Sequence, residues 1–257
     1  MNLRTDGVSC YDFIMKNETI TKSRKYFEGR GYHRDYFCNI DTEEKAYILG
    51  FLWGDGSYIP SKRTIALVVA VKDESHLRRM ATCIGLEPDQ VRTHTSHSFG
   101  DQEFDYVKIQ MSHKVFFEAM QMLGFGKKVD RMQRMPPIPA HLVRHFIRGL
   151  FDADGYVYVN PRKFREFRQG RMEVSLRHLP AVQWWTDYLK QACGVEFKHC
   201  RDKSIYRVTL QRHDSLVAMY HYLYADSTIY LERKHSRFKS LLGPEDHPNA
   251  SVLPMAA

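Results

Sequence analysis

The chain has 257 residues, 43% of them hydrophobic, enough for one large domain or two of ordinary size with a core that needs no cross-links. Its 38 Lys and Arg against 30 Asp and Glu give a net charge of +8, which favours a polyanionic partner, and its five scattered cysteines include no Cys-x-x-Cys pair, which excludes a disulfide framework and a structural zinc site. Apolar runs such as AYILGFLW are too short to span a bilayer and MNLRTDGVSC lacks a secretory apolar core, so a soluble protein of a reducing intracellular compartment, without a membrane partner, is expected.

Residues 1–40 form a basic and aromatic extension, KNETITKSRKYFEGRGYHRDYF, which reads equally as a DNA-contacting appendage and as a packing arm. A helix is expected over about 43–54, closing on ILGFLWGDG. Two strands follow, with TIALVVAV the clearer, then the helix ESHLRRMATCIG, stopped by Gly85 in the usual helix C-terminal place. The strands VRTHTSHS and DYVKIQM and the helix KVFFEAMQMLG complete the first half, residues 41–126. Residues 127–139 carry Pro136, Pro137 and Pro139 and read as a short extended linker.

The second half, residues 140–242, repeats the order. A helix over about 140–153 closes on IRGLFDADG, followed by a strand at RMEVSLR, a helix at PAVQWWTDYLKQACG stopped by Gly194, strands at VEFKHCR and IYRVTLQR, and a helix at DSLVAMYHYLY. Residues 243–257 read as a polar, frayed tail. An offset of 99 lays Ile48, Gly50, Asp55 and Gly56 on Ile147, Gly149, Asp154 and Gly155, and VKIQ lies against VTLQ at nearly the same offset. This is an internal duplication of an αββαββα unit, hence an α+β fold with a four-stranded antiparallel sheet in each half.

Within the repeated helix, Gly50 and Gly54 lie four apart on one face, as do Gly149 and Ala153. Glycine inside a helix costs about 1 kcal/mol relative to alanine, so its repetition points to close backbone approach between the two helices. Asp55 and Asp154 then fall at helix C-termini, where the dipole disfavours an acid, and helices paired with both ends together would also bring the acids towards each other. A hard divalent cation with oxygen ligands relieves both problems. One Asp-Gly after a helix reads as a plain turn; two at matched positions do not. An EF-hand is excluded, because Lys163 stands where its bidentate Glu belongs.

The repeated helix with its terminal Asp-Gly resembles the defining motif of the LAGLIDADG homing endonucleases, in the single-chain, two-repeat form. In that family the motif helices form the interface between the halves and the last acid of each motif binds catalytic metal. The resemblance therefore implies Asp55 and Asp154 as catalytic metal ligands, with the backbone carbonyls of Gly54 and Ala153 beside them. It implies Mg²⁺ as cofactor, replaceable by Mn²⁺, with Ca²⁺ bound but not supporting cleavage. Trp53 departs from the pattern by standing where an acid often does. Family members also place a basic residue near each site; the candidates are Lys128, with Lys127 nearly as well placed, and Lys234, with Lys72 and Arg177 as weaker choices.

Alternation gives each sheet a polar face: Tyr106, Lys108 and Gln110 oppose Val107, Ile109 and Met111, and Arg207, Thr209 and Gln211 oppose Val208 and Leu210. With Arg63, Lys72 and Arg92 in the first half, and Arg162, Lys163, Arg165, Arg168, Arg171, Arg177, Lys198, Arg201 and Lys203 in the second, these are the candidate DNA contacts. The polar positions of the halves differ, which predicts an asymmetric target. The resemblance implies a saddle of two sheets on a long double-stranded DNA site, cut once on each strand by a monomer, with short 3′ overhangs. An RNA-binding intron maturase and a non-cleaving DNA-binding regulator are the alternatives. An intein origin is not expected for a chain that begins with Met and shows no splicing-junction residues.

Overall fold

The computed structural model describes residues 32–97, 103–164 and 167–243, and the chain divides into two compact units between Ala153 and Asp154. In the first unit, α1 (Glu43–Asp55) starts at Thr42, whose Oγ1 accepts from the Lys45 N–H at 3.3 Å, with Glu43 and Glu44 in the first turn to suit the helix dipole. Every residue from Ala46 to Gly54 is buried, so this helix is core on all sides. The chain leaves it through Gly56 in an extended conformation and enters β1 (Ser57–Ile59) directly. Then come β2 (Thr64–Ala70), α2 (Glu74–Ile84), β3 (Arg92–His97), β4 (Glu103–Met111) and α3 (Lys114–Met122). The sheet is antiparallel in the order β1-β2-β4-β3.

Residues 127–139, expected as an extended linker, begin instead with a helical turn, α4 (Lys128–Arg131), ahead of the prolines. The second motif helix, α5 (Val143–Asp154), belongs to the first unit as far as Ala153. Of the extension, the described residues from Tyr32 pack: Phe37 and Ile40 are buried, and the Tyr32 and Phe37 rings meet Phe116 edge-on at 5.6 and 5.3 Å. Residues 1–31 and the tail from 244 onward lie outside the described residues.

The second unit continues with β5 (Gly155–Phe164), β6 (Phe167–Leu176), α6 (Leu179–Cys193), β7 (Lys198–Asp202), β8 (Ile205–Leu210), α7 (His213–Tyr224) and α8 (Glu232–Lys239). Its antiparallel sheet has the order β5-β6-β8-β7, which repeats the first sheet strand for strand. Gly85 and Gly194 end α2 and α6 in the left-handed conformation, as their positions predict.

Inside the first unit α1 and α5 meet backbone to backbone. A methyl group built on Gly50 would lie 2.0 Å from the Phe146 carbonyl oxygen, and one built on Gly149 would lie 2.0 Å from that of Tyr47. Polar side chains clip the pair together. Arg148, buried, donates through Nη2 to Glu43 Oε1 at 2.6 Å and through Nη1 to His145 Nδ1 at 2.9 Å. Tyr47 donates to Asp152 Oδ2 at 2.8 Å and its hydroxyl also bonds His76 Nε2 at 2.8 Å.

The clip carries a pH dependence. Burial, and then the Arg148 guanidinium, hold the His145 imidazole down at about 4 from its ordinary 6.5. Only a neutral ring can accept the Arg148 N–H. The contribution is complete above 6.5 and is lost as the pH falls from there through about 4, because the unfolded chain binds the proton first. Its expected size is on the order of 2 kcal/mol. Thermal melts between pH 7 and pH 4.5 should show a smaller acid loss for His145→Gln than for the wild type; parallel curves would remove His145 from the acid limb.

Candidate metal centre and nucleic-acid interface

Asp55 is the last residue of α1 and its side chain is exposed. No basic residue occupies the last turn of that helix. The negative end is served from a distance by Arg131, only 1% exposed, on α4. Its Nε donates to Trp53 O at 2.7 Å, its Nη1 to Gly126 O at 2.9 Å, and its Nη2 is shared among Gly56 O at 2.7 Å, Leu52 O at 3.2 Å and Gly54 O at 3.4 Å. The guanidinium lies 4.3 Å from the Phe125 ring centroid. In return the Trp53 indole donates to Arg131 O at 2.9 Å. Trp53 thus locks the cap where Asp152, its equivalent in the second motif, accepts from Tyr47.

Asp154 ends α5, half-buried, and the chain passes at once into β5. Gly54 is buried and Ala153 half-buried. Lys128 opens α4 and is exposed, as is Lys127 before it, whereas Lys234 on α8 is buried. The buried cation that follows the third helix of the first half is therefore Arg131, which lies inside the expected linker. No local pattern announces Arg131, since its acceptors are main-chain carbonyls mostly some 75 or more positions away.

On the first sheet Arg92, Lys108 and Gln110 share the outer face with Gln90 and His94, lining a shallow cavity of about 170 Å³. Arg92 pairs with Lys108 across the strands, and the His94 ring stacks on Tyr106 at 5.3 Å. Val107, Ile109 and Met111 are buried beneath, as alternation requires. The same strand carries Phe104, 51% exposed, and β2 presents Val68, so this polar face also has an apolar part. Arg63 sits at the β1–β2 turn in the left-handed region, and Lys72 is exposed in the helical turn after β2.

On the second sheet Val208 and Leu210 are buried, while Thr209, Gln211, Lys198, Arg201 and Arg177 carry accessible side chains. Lys203 sits in the left-handed β7–β8 turn. Arg171 and Arg207, expected as open contacts, are ion-paired: Arg171 with Glu173 at 3.1 Å, Arg207 with Glu173 at 3.5 Å and with Asp202 at 2.5 Å. Arg162 and Lys163 lie on β5 and Arg168 on β6, while Arg165 lies outside the described residues.

Among the described residues no group of three or more His, Cys, Asp or Glu side chains gathers to hold a metal. The second motif instead offers the Asp154 carboxylate with main-chain carbonyls at a helix end, and the first offers the Asp55 carboxylate with Gly54 O, which Arg131 touches only at 3.4 Å. That hard, sparse oxygen set fits Mg²⁺, which keeps waters and takes phosphate oxygens as its remaining ligands.

Comparison with known proteins bears on these features. The LAGLIDADG-like domain family matches residues 141–176, the span of the second motif and its first two strands. The homing endonuclease I-WcaI bound to its DNA recognition sequence superposes with a TM-score of 0.55 at 12% identity, covering 90% of this chain and 97% of that one. The meganuclease I-AabMI bound to uncleaved DNA gives 0.49 at 11% identity, over 75% and 87% of the two chains. The N-terminal LAGLIDADG domain of DUF199/WhiA gives 0.46 at 14%, over 82% and 90%. No curated protein matches. No helix of the described residues is long and apolar enough to cross a membrane. With the motif helix written twice, the family match on the second copy and the same four-strand order in both sheets, this chain is a LAGLIDADG-fold protein that carries two repeats in one polypeptide.

Proposed function

We propose that the chain is a site-specific, metal-dependent endodeoxyribonuclease that cuts both strands of a long, asymmetric double-stranded DNA target. The observation that carries this reading is the retention of an aspartate at the C-terminal end of both motif helices, Asp55 and Asp154, on helices whose glycines meet backbone to backbone. Fold likeness to I-WcaI, a homing endonuclease bound to its DNA recognition sequence, supports it.

In this reading Asp55, with the Gly54 carbonyl, and Asp154, with the Ala153 carbonyl, each hold a divalent ion, Mg²⁺ or Mn²⁺. Bound there, the metal supplies an acidified water and neutralises charge on the leaving oxygen. Asp55 and Asp154 would supply the negative charge that holds the ion against the phosphate. Lys234, and Lys128 more openly, set positive charge beside the phosphate. The outer strand faces lie in the major groove: Arg92, Lys108, Gln110, Lys198, Thr209 and Gln211 meet base edges, and Val68 and Phe104 meet thymine methyls. The halves present different residues, so the target is not a palindrome, and hydrolysis leaves short 3′ overhangs.

Incubation with a randomised duplex library in Mg²⁺, Mn²⁺ or Ca²⁺ tests this. Double-strand cuts are expected in Mg²⁺ and Mn²⁺ and not in Ca²⁺, with Asp55→Asn and Asp154→Asn each lowering them by on the order of 10²-fold or more. Sequence-specific binding without cuts in any metal would make the chain a DNA-binding regulator. Stimulated intron splicing without DNA cleavage would make it a maturase.

A further inference from the structure

Across the outer face of the second sheet runs a line of charged and aromatic groups taken from all four strands. Tyr158 on β5 pairs with Arg171 on β6, and the Arg171 guanidinium lies 5.0 Å from the Tyr158 ring centroid. Glu173, two residues along β6, receives a hydrogen bond from Arg171 Nε on Oε2 at 3.1 Å and is ion-paired through Oε1 with Arg207 Nε at 3.5 Å. Arg207 on β8 also gives Nη2 to Asp202, at the end of β7. The Glu173 side chain is the most protected of the four charged groups, 13% exposed against 35% to 42% for the others.

A carboxylate in the middle of a face that meets phosphates lowers affinity for every DNA sequence, and exposed ion pairs add little to stability. Something else must explain its place. The two arginines are held differently. Arg207 has its Nε and Nη2, one whole edge of the fork, committed to acids. Arg171 is pinned at Nε by Glu173, with its guanidinium within cation–π reach of the Tyr158 ring. A guanidinium pinned at Nε beside a ring keeps its Nη donors for another partner, which suits the N7 and O6 acceptors of guanine. Holding that geometry before binding removes the ordering cost of a long side chain.

We propose that Glu173 is a specificity-determining residue: it positions Arg171 to read one guanine in the half-site facing the second sheet, and Arg207 is the strut that holds Glu173. This rests on the DNA-recognition reading above and adds to it the base and the residue that selects it.

Selection of bound duplexes from a randomised library, in Ca²⁺ and at two salt concentrations, tests the proposal with the full chain and three variants. The wild type is expected to enrich a site with an invariant guanine in one half. Arg171→Ala is expected to lose roughly 5- to 150-fold of discrimination at that position alone, with little change in salt slope. Glu173→Gln, close to isosteric, is expected to bind non-specific DNA more tightly while flattening the same position by about 10-fold, the reverse of a simple loss of fold. Arg207→Ala is expected to flatten it less. An unchanged preference in Glu173→Gln overturns the proposal. So does an Arg171→Ala variant that weakens all sequences equally and lowers the salt slope by about one, the mark of a phosphate contact. A wild type that enriches no sequence overturns the DNA-recognition reading and this inference with it.

Discussion

Gly50→Ala and Gly149→Ala should each destabilise the first unit by about 3 kcal/mol or more, although alanine is the better helix former by about 1 kcal/mol. The added methyl on Gly50 meets Phe146 O at 2.0 Å and Leu150 N at 2.9 Å; on Gly149 it meets Tyr47 O at 2.0 Å and Phe51 N at 2.8 Å. All four are backbone atoms, held by their own helices, and no rotamer change can move them. The helices must part by an ångström or more. Parting them loosens the buried contacts of Tyr47, Phe51, Phe146 and Leu150 and strains the Arg148–Glu43 and Tyr47–Asp152 bonds. Because one separation accommodates both methyls, the double variant should cost clearly less than the sum of the singles. Urea unfolding of the three variants decides it; strict additivity, or a loss below 1 kcal/mol, would mean that the seam is not the constraint.

The same contacts explain why the duplication could be read before any coordinates. The offset of 99 that aligns Gly50 with Gly149 also aligns the atoms each would strike, Tyr47 with Phe146 and Phe51 with Leu150. Two equivalent helices facing each other need the same small residue at the same place, and sequence records that directly. Strand alternation was legible for a similar reason, since Val107, Ile109 and Met111 have one sheet face to fill. Strand β1, with three residues, carries too little pattern to locate. The turn of helix at Lys128–Arg131 was hidden because the prolines after it dominate the local reading. Ion pairing of Arg207 was hidden too: Glu173 and Asp202 reach it through strand register, and register is not written in either strand alone, whereas Arg171 and Glu173 are same-face neighbours two apart on one strand.

Arg131 is the largest omission, and its replacement is expected to have an effect of the same size as the glycine variants. The C-terminal carbonyls of a helix need donors, and α1 ends among buried groups where water cannot supply them all. Arg131→Met keeps length and burial but removes every donor. Leu52 O retains the Gly56 N–H at 2.7 Å, whereas Trp53 O, Gly56 O and Gly126 O lose their guanidinium partner. Two buried acceptors and one half-buried, at about 1–3 kcal/mol each and partly offset by local relaxation, give an expected loss of about 3–5 kcal/mol in urea unfolding. Arg131→Lys should recover less than half of it, because one ammonium cannot span carbonyls that the planar fork reaches on two sides. A loss under 1 kcal/mol for Met, or full recovery by Lys, would show that the cap is not what holds this helix end. A surviving variant also bears on the proposed chemistry. Arg131 holds the backbone on both sides of Asp55, so the Lys variant should slow the strand served by Asp55 more than the other, and nicked duplex should accumulate where the wild type yields linear product.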